Sequence, residues 1–495
     1  YDHSGVGILG PPESRSGTLS RDLSPLERSA VPGFDEVADV VIVGFGAAGT
    51  CAAYESAALG AKTIVLERTG GAGGAAALAE GILYLGGGTS TQVAAGVEDS
   101  PEDFLAYLKA AVGPGAPTDK VEAYAAGALE HHAWLLERGL EFTPKIDLET
   151  QMAPRGDDGL VWSGGEDAYP FNEIAKPAPR GHLCATKNAT GWLLMQTISA
   201  EAIRVGADVR YDSKVERLIV DAGRVVGVVA RSFGEQRFIE ARRGVVISAG
   251  GFIWNDDMLA RYAPPLLRGT WKVGTEGDDG SGIEMAQSVG AAVRNMHAGE
   301  VSLPIIPPVQ LTEGILVNGH GQRFINEDTY MGRVGIAALY EQDATCFLVV
   351  DEAAYSPNWM GVEASWVCES VTELEEEMGL APGSLESTIN LYNRHAVKGE
   401  DPLFHKRAER VRPLEGALGA FDLRPGSAPY APFTLGGLET SVNGAVMGVY
   451  GEHIPGLFAA GRSTAGVCAT GYASGLSIGD STMFGRFAGR AAAQS

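Results

Sequence analysis

This chain of 495 residues is poor in cysteine and in positive charge. Its five cysteines (Cys51, Cys184, Cys346, Cys368 and Cys468) are scattered, and no two form a C-x-x-C pair. That excludes a cysteine zinc site, an attached c-type haem and a disulfide scaffold, and points to a reducing, cytoplasmic setting. Cys51 and Cys468 are expected to act as small buried hydrophobes. The nine histidines show no metal-ligand spacing, so no metal centre is expected. Lysine and arginine number 38 against 62 Asp and Glu, a net charge of -24. A chain so acidic has no basic face for nucleic acid or anionic lipid, and its acid excess reads as an aid to solubility. A long apolar run is also missing. The best stretch, near 38–66, is broken by Glu55 and by glycines, which excludes stable membrane insertion through a spanning helix. The first 35 residues lack the apolar centre of a signal peptide and read as an extended surface arm or a flexible leader.

Glycine is plentiful, with 67 residues, and its placement is informative. Val40–Val43 is a short β-branched run that reads as a buried strand. Gly44-x-Gly46-x-x-Gly49 follows at once, then an Ala-rich helix to about Leu59, a second strand Thr63–Leu66, and Glu67. In a βαβ unit, Gly44 makes the tight turn and Gly46 lets the backbone approach a pyrophosphate. Gly49 lets helix pack on strand, and the acid meets the ribose hydroxyls. Ala47 and Ala48 open the helix, whose N-terminus faces the phosphates. The fold class is therefore α/β, with a Rossmann-like dinucleotide-binding domain.

FAD is favoured over NAD because further glycine turns follow. The run 70–88 (GGAGGAAALAEGILYLGGG) clears backbone for a large flat ligand, with Arg68, Gly73, Gly74, Ala75, Ala76 and Gly81 as candidate contacts. Arg242–Phe252 is a strand ending in Ala249, Gly250 and Gly251. Ile454–Gly466 is another, ending in Gly461 and Arg462. Val215, on a return strand, is a further candidate. No histidine falls in the loop after Glu67, so the FAD is expected to be non-covalent.

Together these segments, with GILVNGHGQRFINEDTY (314–330) and the terminal PGLFAAGR…GYASGLSIGD, resemble the flavoprotein family of fumarate reductases and 3-ketosteroid dehydrogenases. Within it, YPFNEIAKPAPRGH (169–182), PFTLGGL (432–438) and GVCATGYASG (466–475) are most similar to the Δ4-(5α)-dehydrogenases. The resemblance implies an enzyme that removes a proton α to a ketone and passes a hydride from the adjacent carbon to the flavin. The dicarboxylate reductases of the family place a histidine before the T-x-GG turn and an arginine in the C-terminal loop. Pro432 and Tyr472 stand there instead, so the clamp for two carboxylates is missing and an apolar, carbonyl-bearing steroid is the expected substrate.

The resemblance assigns Tyr472 as general base, with Ser474 beside it and Gly475 polarising the ketone. Ser477 and Ile478 open a helix towards the flavin. A second family tyrosine is expected at Phe324, which carries no hydroxyl; Tyr330 is its candidate replacement. Phe433 is expected to line the substrate site. Arg333 is expected either to donate a proton, if the chain runs as an ene-reductase of an apolar enone, or to pair with Glu327 or Asp328. A Δ1-type ketosteroid dehydrogenase and a flavin carrier without turnover are the other readings. No haem motif is present, so an external electron acceptor is implied.

The domain reading is an N-terminal arm over 1–35 and an FAD-binding domain from 36–300 and 425–495. A substrate (catalytic) domain over 301–424 is inserted between two Pro/Gly-rich hinges, 297–310 and 422–433.

Overall fold

Val40, Val41 and Ile42 have no exposed surface, as a strand covered on both faces requires. They lie in the strand Glu36–Val43, at the centre of a parallel sheet. This computed structural model describes residues 22–147, 157–184, 190–305, 308–358 and 361–495. The parallel strands run in the order Asp208–Arg210, Thr63–Leu66, Glu36–Val43, Glu235–Ile247 and His453–Ala459. Val41 lies opposite Ile64 on one side and Val245 on the other. The Glu235–Ile247 strand changes partner along its length. Its first half pairs antiparallel with Arg224–Ser232, Val228 opposite Ile239, and its second half runs parallel to the sheet centre. The strand Arg224–Ser232 is thus the middle of a three-stranded meander with Ser213–Asp221.

Helix Ala47–Ala58 follows the central strand and packs against the C-terminal helix Leu476–Gln494. Gly485 and Gly489 lie directly over Ala48 and Ala52, so the two backbones meet without side chains between them. Residues 101–204 contribute helices Pro101–Ala111, Thr118–Glu137 and Gly191–Arg204, with a small sheet that includes Leu83–Tyr84 and Gly181–His182.

A second sheet is antiparallel, in the order Ile315–Asn318, Cys346–Asp351, Leu418–Asp422 and Trp366–Cys368. Helices Val371–Met378 and Ser384–Ala396 cover it through Leu374, Leu385, Ile389 and Tyr392. The chain enters and leaves this region through two strands that pair with each other. Gly299–Ser302 runs antiparallel to Ala431–Thr434, with Glu300 opposite Phe433. At the N-terminus, Leu26–Glu27 adds a parallel edge to Ile219–Val220. The rest of the expected arm, 1–21, lies outside the described residues. Among the described residues, no helix is long and apolar enough to cross a membrane.

Candidate active site

A cavity of about 730 Å³ opens where the parallel strands end and runs to the paired strands at 299–302 and 431–434. Gly44 forms its first turn at φ +95, a conformation that L side chains rarely adopt. A Cβ there would sit 2.7 Å from the Ser248 carbonyl oxygen. Two helices begin at the cavity, Ala47–Ala58 and Leu476–Gln494. Each has a glycine N-cap, Gly46 and Gly475, and neither has a side-chain cap. Their first-turn N–H groups, of which Ser477 N donates to the Tyr472 hydroxyl, and their positive dipole ends suit phosphate and other electron-rich groups. Glu67 is buried beside the first turn. Its Oε2 accepts from Phe45 N at 2.8 Å, and its Oε1 accepts from Thr69 N and Oγ1, each at 2.8 Å.

At the other end, Gly475 stands at φ +101, packed against Ile82, and lets the chain turn from Tyr472 and Ser474 into the C-terminal helix. The Tyr472 hydroxyl oxygen accepts from Ser477 N at 3.1 Å, in the first turn of that helix. Its ring meets Phe433 edge-on at 5.3 Å and lies 6.5 Å from the Tyr330 ring. Burial pushes the Tyr472 phenol well above its ordinary range, with the Ser477 and Gly475 backbone opposing. Ser474 is pinned through its backbone: its N–H donates to Ser163 O at 3.0 Å, and Ser163 Oγ donates to its carbonyl at 2.9 Å. Tyr330 donates to Glu300 Oε1 at 3.1 Å, and Ser302 Oγ donates to the same oxygen at 2.8 Å. Burial pushes the Glu300 carboxyl up to about 7, against those two hydrogen bonds.

A family model described as an FAD binding domain matches residues 39–478. The chain belongs to that FAD-binding family. It is 46% identical to the 3-ketosteroid-Δ4-(5α)-dehydrogenase from Rhodococcus jostii RHA1, solved in complex with 4-androstene-3,17-dione. The match covers 95% of this chain and 100% of that one, with a TM-score of 0.91. It is 27% identical to the 3-oxo-5-alpha-steroid 4-dehydrogenase of Comamonas testosteroni over 86% of this chain and 93% of that protein. It is also 27% identical to a fumarate reductase (cytochrome) of Shewanella frigidimarina, over 96% and 80%. The residues of the cavity fit FAD: glycine and alanine at the first turn, two helix N-termini with glycine caps, and a buried acid beside the first turn. Among the described residues, no histidine or cysteine lines the cavity.

Most of the expected cofactor contacts line this one cavity: Gly44, Gly46, Ala47, Ala48, Glu67, Arg68, Gly73, Gly74, Ala75, Ala76, Gly81, Val215, Ala249, Gly250, Gly461, Arg462, Gly475, Ser477 and Ile478. Gly49 and Gly251 do not line it. Gly49 sits against the Gly44 carbonyl and Gly251 against Thr434 Oγ1, both as packing glycines. Tyr472, Ser474, Tyr330 and Phe433 share the far wall.

Two expected site residues, Phe324 and Arg333, fall outside the cavity lining. Phe324 packs on an apolar cluster that includes Leu316 and Ile325. Arg333 donates to Tyr169 O, Asn326 Oδ1 and Thr329 Oγ1 and lies over the Phe171 ring, outside the cavity lining. It pairs with neither expected acid, because Glu327 is taken by Arg323 and Lys406, and Asp328 by Arg407.

Sequence reasoning missed Glu300, Ser302, Met331 and Trp271 in the wall. It also missed Asp278, which holds Arg462. Glu300 and Ser302 alternate with Val301 on a strand of four residues, too short a pattern to stand out in a segment read as a hinge.

Proposed function

We propose that this chain is an FAD-dependent 3-ketosteroid dehydrogenase that introduces the 4,5 double bond of a 5α-3-ketosteroid. The observation that carries the reading is the far wall itself. Tyr472, Tyr330, Ser474, Phe433 and Met331 supply hydroxyls and apolar surface there, and no cation. The arginines of the cavity, Arg68 and Arg462, are paired with Asp279 and Asp278. A dicarboxylate would find no clamp, whereas a flat neutral ketone matches the lining. The relationship to the Rhodococcus enzyme supports the same substrate class.

Bound FAD supplies a two-electron acceptor for the hydride that leaves the β carbon. Gly44–Ala48, Glu67 and the N-terminal ends of the two helices would hold it. Residues 301–424 serve as the insert on the substrate side.

The chain's own residues manage the ketone and the proton. Expected as the base, Tyr472 is better suited to the opposite task. Burial keeps its phenol protonated, and its oxygen already accepts from Ser477 N, so its O–H is free to donate to the substrate carbonyl. A donor fixed in advance stabilises the enolate as its charge develops. Ser474 and Tyr330, which line the same wall, are this reading's remaining hydroxyl residues for the departing α proton. The reductase alternative loses its proton donor, because Arg333 is engaged away from the cavity.

The test is optical and anaerobic. The yellow holoprotein is mixed separately with a saturated 5α-3-ketosteroid, a 3-keto-4-ene steroid and succinate. Bleaching of the oxidised flavin band by the saturated ketone alone supports 4,5-dehydrogenation. Bleaching by the 4-ene alone moves the double bond to another ring position. Bleaching by succinate alone overturns the steroid reading.

A further inference from the structure

The proton that leaves the substrate needs a destination, and the cavity wall contains one carboxyl group near the reacting hydroxyls. Glu300 lies on the strand Gly299–Ser302, where the pairing to Ala431–Thr434 turns it to the same wall as Phe433 and Tyr472. It is 1% exposed, and among the described residues no lysine, arginine or histidine forms an ion pair with it. A carboxyl group in that setting is costly to keep unless it has a use, since a cation or an apolar residue would suit stability better. Its two side-chain partners are hydroxyls: Tyr330, which also lines the cavity, and Ser302.

We propose that Glu300 is the terminal proton acceptor of the dehydrogenation, reached through the hydroxyl of Tyr330. This rests on the ketosteroid reading above. The C–H bond α to the ketone breaks and its electron pair becomes the enolate, held by the Tyr472 hydroxyl. The released proton bonds to the Tyr330 oxygen while the proton of Tyr330 passes to Glu300 Oε1 along the existing hydrogen bond. Tyr330 ends as it began, neutral, and Glu300 ends as a carboxylic acid. A phenol buried as deeply as Tyr330, whose own titration burial pushes well above the ordinary range, cannot store the charge alone. A carboxyl group with a pKa raised to about 7 exchanges protons readily near neutrality. The other titratable groups that face Glu300 are Tyr330, at the start of the helix Met331–Ile336, and Tyr472 and Cys468 from the C-terminal loop. All three are pushed upward by burial and stay neutral in this range. Arg333, on the helix Met331–Ile336 beside it, points instead to Tyr169 and Asn326.

The test separates the proton step from the redox step. Holoenzyme with its flavin pre-reduced is incubated with a saturated 5α-3-ketosteroid in D2O, and deuterium entering the α carbon is followed by mass spectrometry. Wild-type exchange is expected to rise with pH through about 7, as Glu300 ionises. Glu300→Gln is expected to slow exchange at least tenfold and flatten its pH dependence. Flavin content and steroid binding, read by difference absorbance, should hold. Tyr330→Phe is expected to give the same loss, and the double variant no more than either alone. It also serves as the test should the Gln variant fold poorly. Wild-type rate and pH profile in Glu300→Gln would overturn the relay. Absence of exchange in the wild type, with no flavin bleaching by steroid, would instead overturn the substrate reading beneath it.

Discussion

Arg462 Nη2 bridges both carboxylate oxygens of Asp278, at 2.9 and 3.0 Å, and so ties the turn at Gly461 to the turn at Gly250–Gly251. Asp278 also accepts from Gly251 N and Thr275 N, each at 2.9 Å. Removing the guanidinium would leave a buried carboxylate without its cation, which costs about 3 kcal/mol. Arg462→Ala is therefore expected to lower the denaturation midpoint and to release flavin on gel filtration. Arg462→Lys should recover only part of this, since one ammonium reproduces the charge but not the planar fork.

Tyr472→Phe removes one hydroxyl and leaves the edge-on contact with Phe433 in place. The expected result is flavin content like wild type and a loss of at least two orders of magnitude in the rate of steroid-dependent flavin bleaching, the scale of removing one preorganised donor. Stopped-flow absorbance reads both quantities from one sample. Wild-type bleaching rates would remove Tyr472 from the mechanism.

Glu67→Ala deprives Phe45 N and Thr69 N of their acceptor and removes the acid expected to meet the ribose hydroxyls. Charge-assisted hydrogen bonds are worth about 2 kcal/mol each. The dissociation constant for FAD is expected to rise by roughly 30-fold or more, measured by fluorescence titration of apoprotein.

Two buried carboxyl groups, Glu300 and Glu166, are pushed up to about 7 by burial. Unfolded, each titrates near the ordinary glutamate value. Between the two values the folded state holds more protons than the unfolded state, so stability falls as pH rises from about 4.5 through about 7. Each group accounts for on the order of 3 kcal/mol across that window. Glu300→Gln is expected to narrow the difference in melting temperature between pH 5 and pH 8, with the gain on the alkaline side. An unchanged difference would mean that Glu300 does not titrate in this range.

Gly485 rests on the Ala48 backbone, and an added Cβ would come far closer to the Ala48 carbonyl oxygen than van der Waals contact allows. Backbone cannot move aside as a flexible side chain can. Gly485→Ala is expected to cost about 2 kcal/mol and to shift the start of helix Ala47–Ala58, so flavin affinity should fall together with the denaturation midpoint.

The FAD cradle was legible because its chemistry is local. A strand, three glycines at fixed spacing, a helix and an acid lie within thirty residues, and the chain can adopt that unit in only one useful way. Tyr472 was singled out by the family resemblance, and it lines the same cavity as the cradle. Its burial and the hydrogen bond that its oxygen accepts from Ser477 N were not legible, because both depend on how the loop packs. Phe324 and Tyr330 lie six residues apart in one irregular segment, and only packing decides that Tyr330 faces the cavity while Phe324 joins an apolar cluster.

By itself, then, the sequence determined the α/β class and FAD binding, since these follow from residue type at short spacing, whereas the expectation of a missing dicarboxylate clamp rested on the family resemblance. The tertiary structure alone decided that Glu300 stands behind Tyr330, that Asp278 holds Arg462, and that Arg333 turns away from the cavity. The physical reason is range. Glu300 reaches the wall through a strand pair with Phe433, far along the chain, and the desolvation that sets its proton affinity exists only once both segments have closed around it.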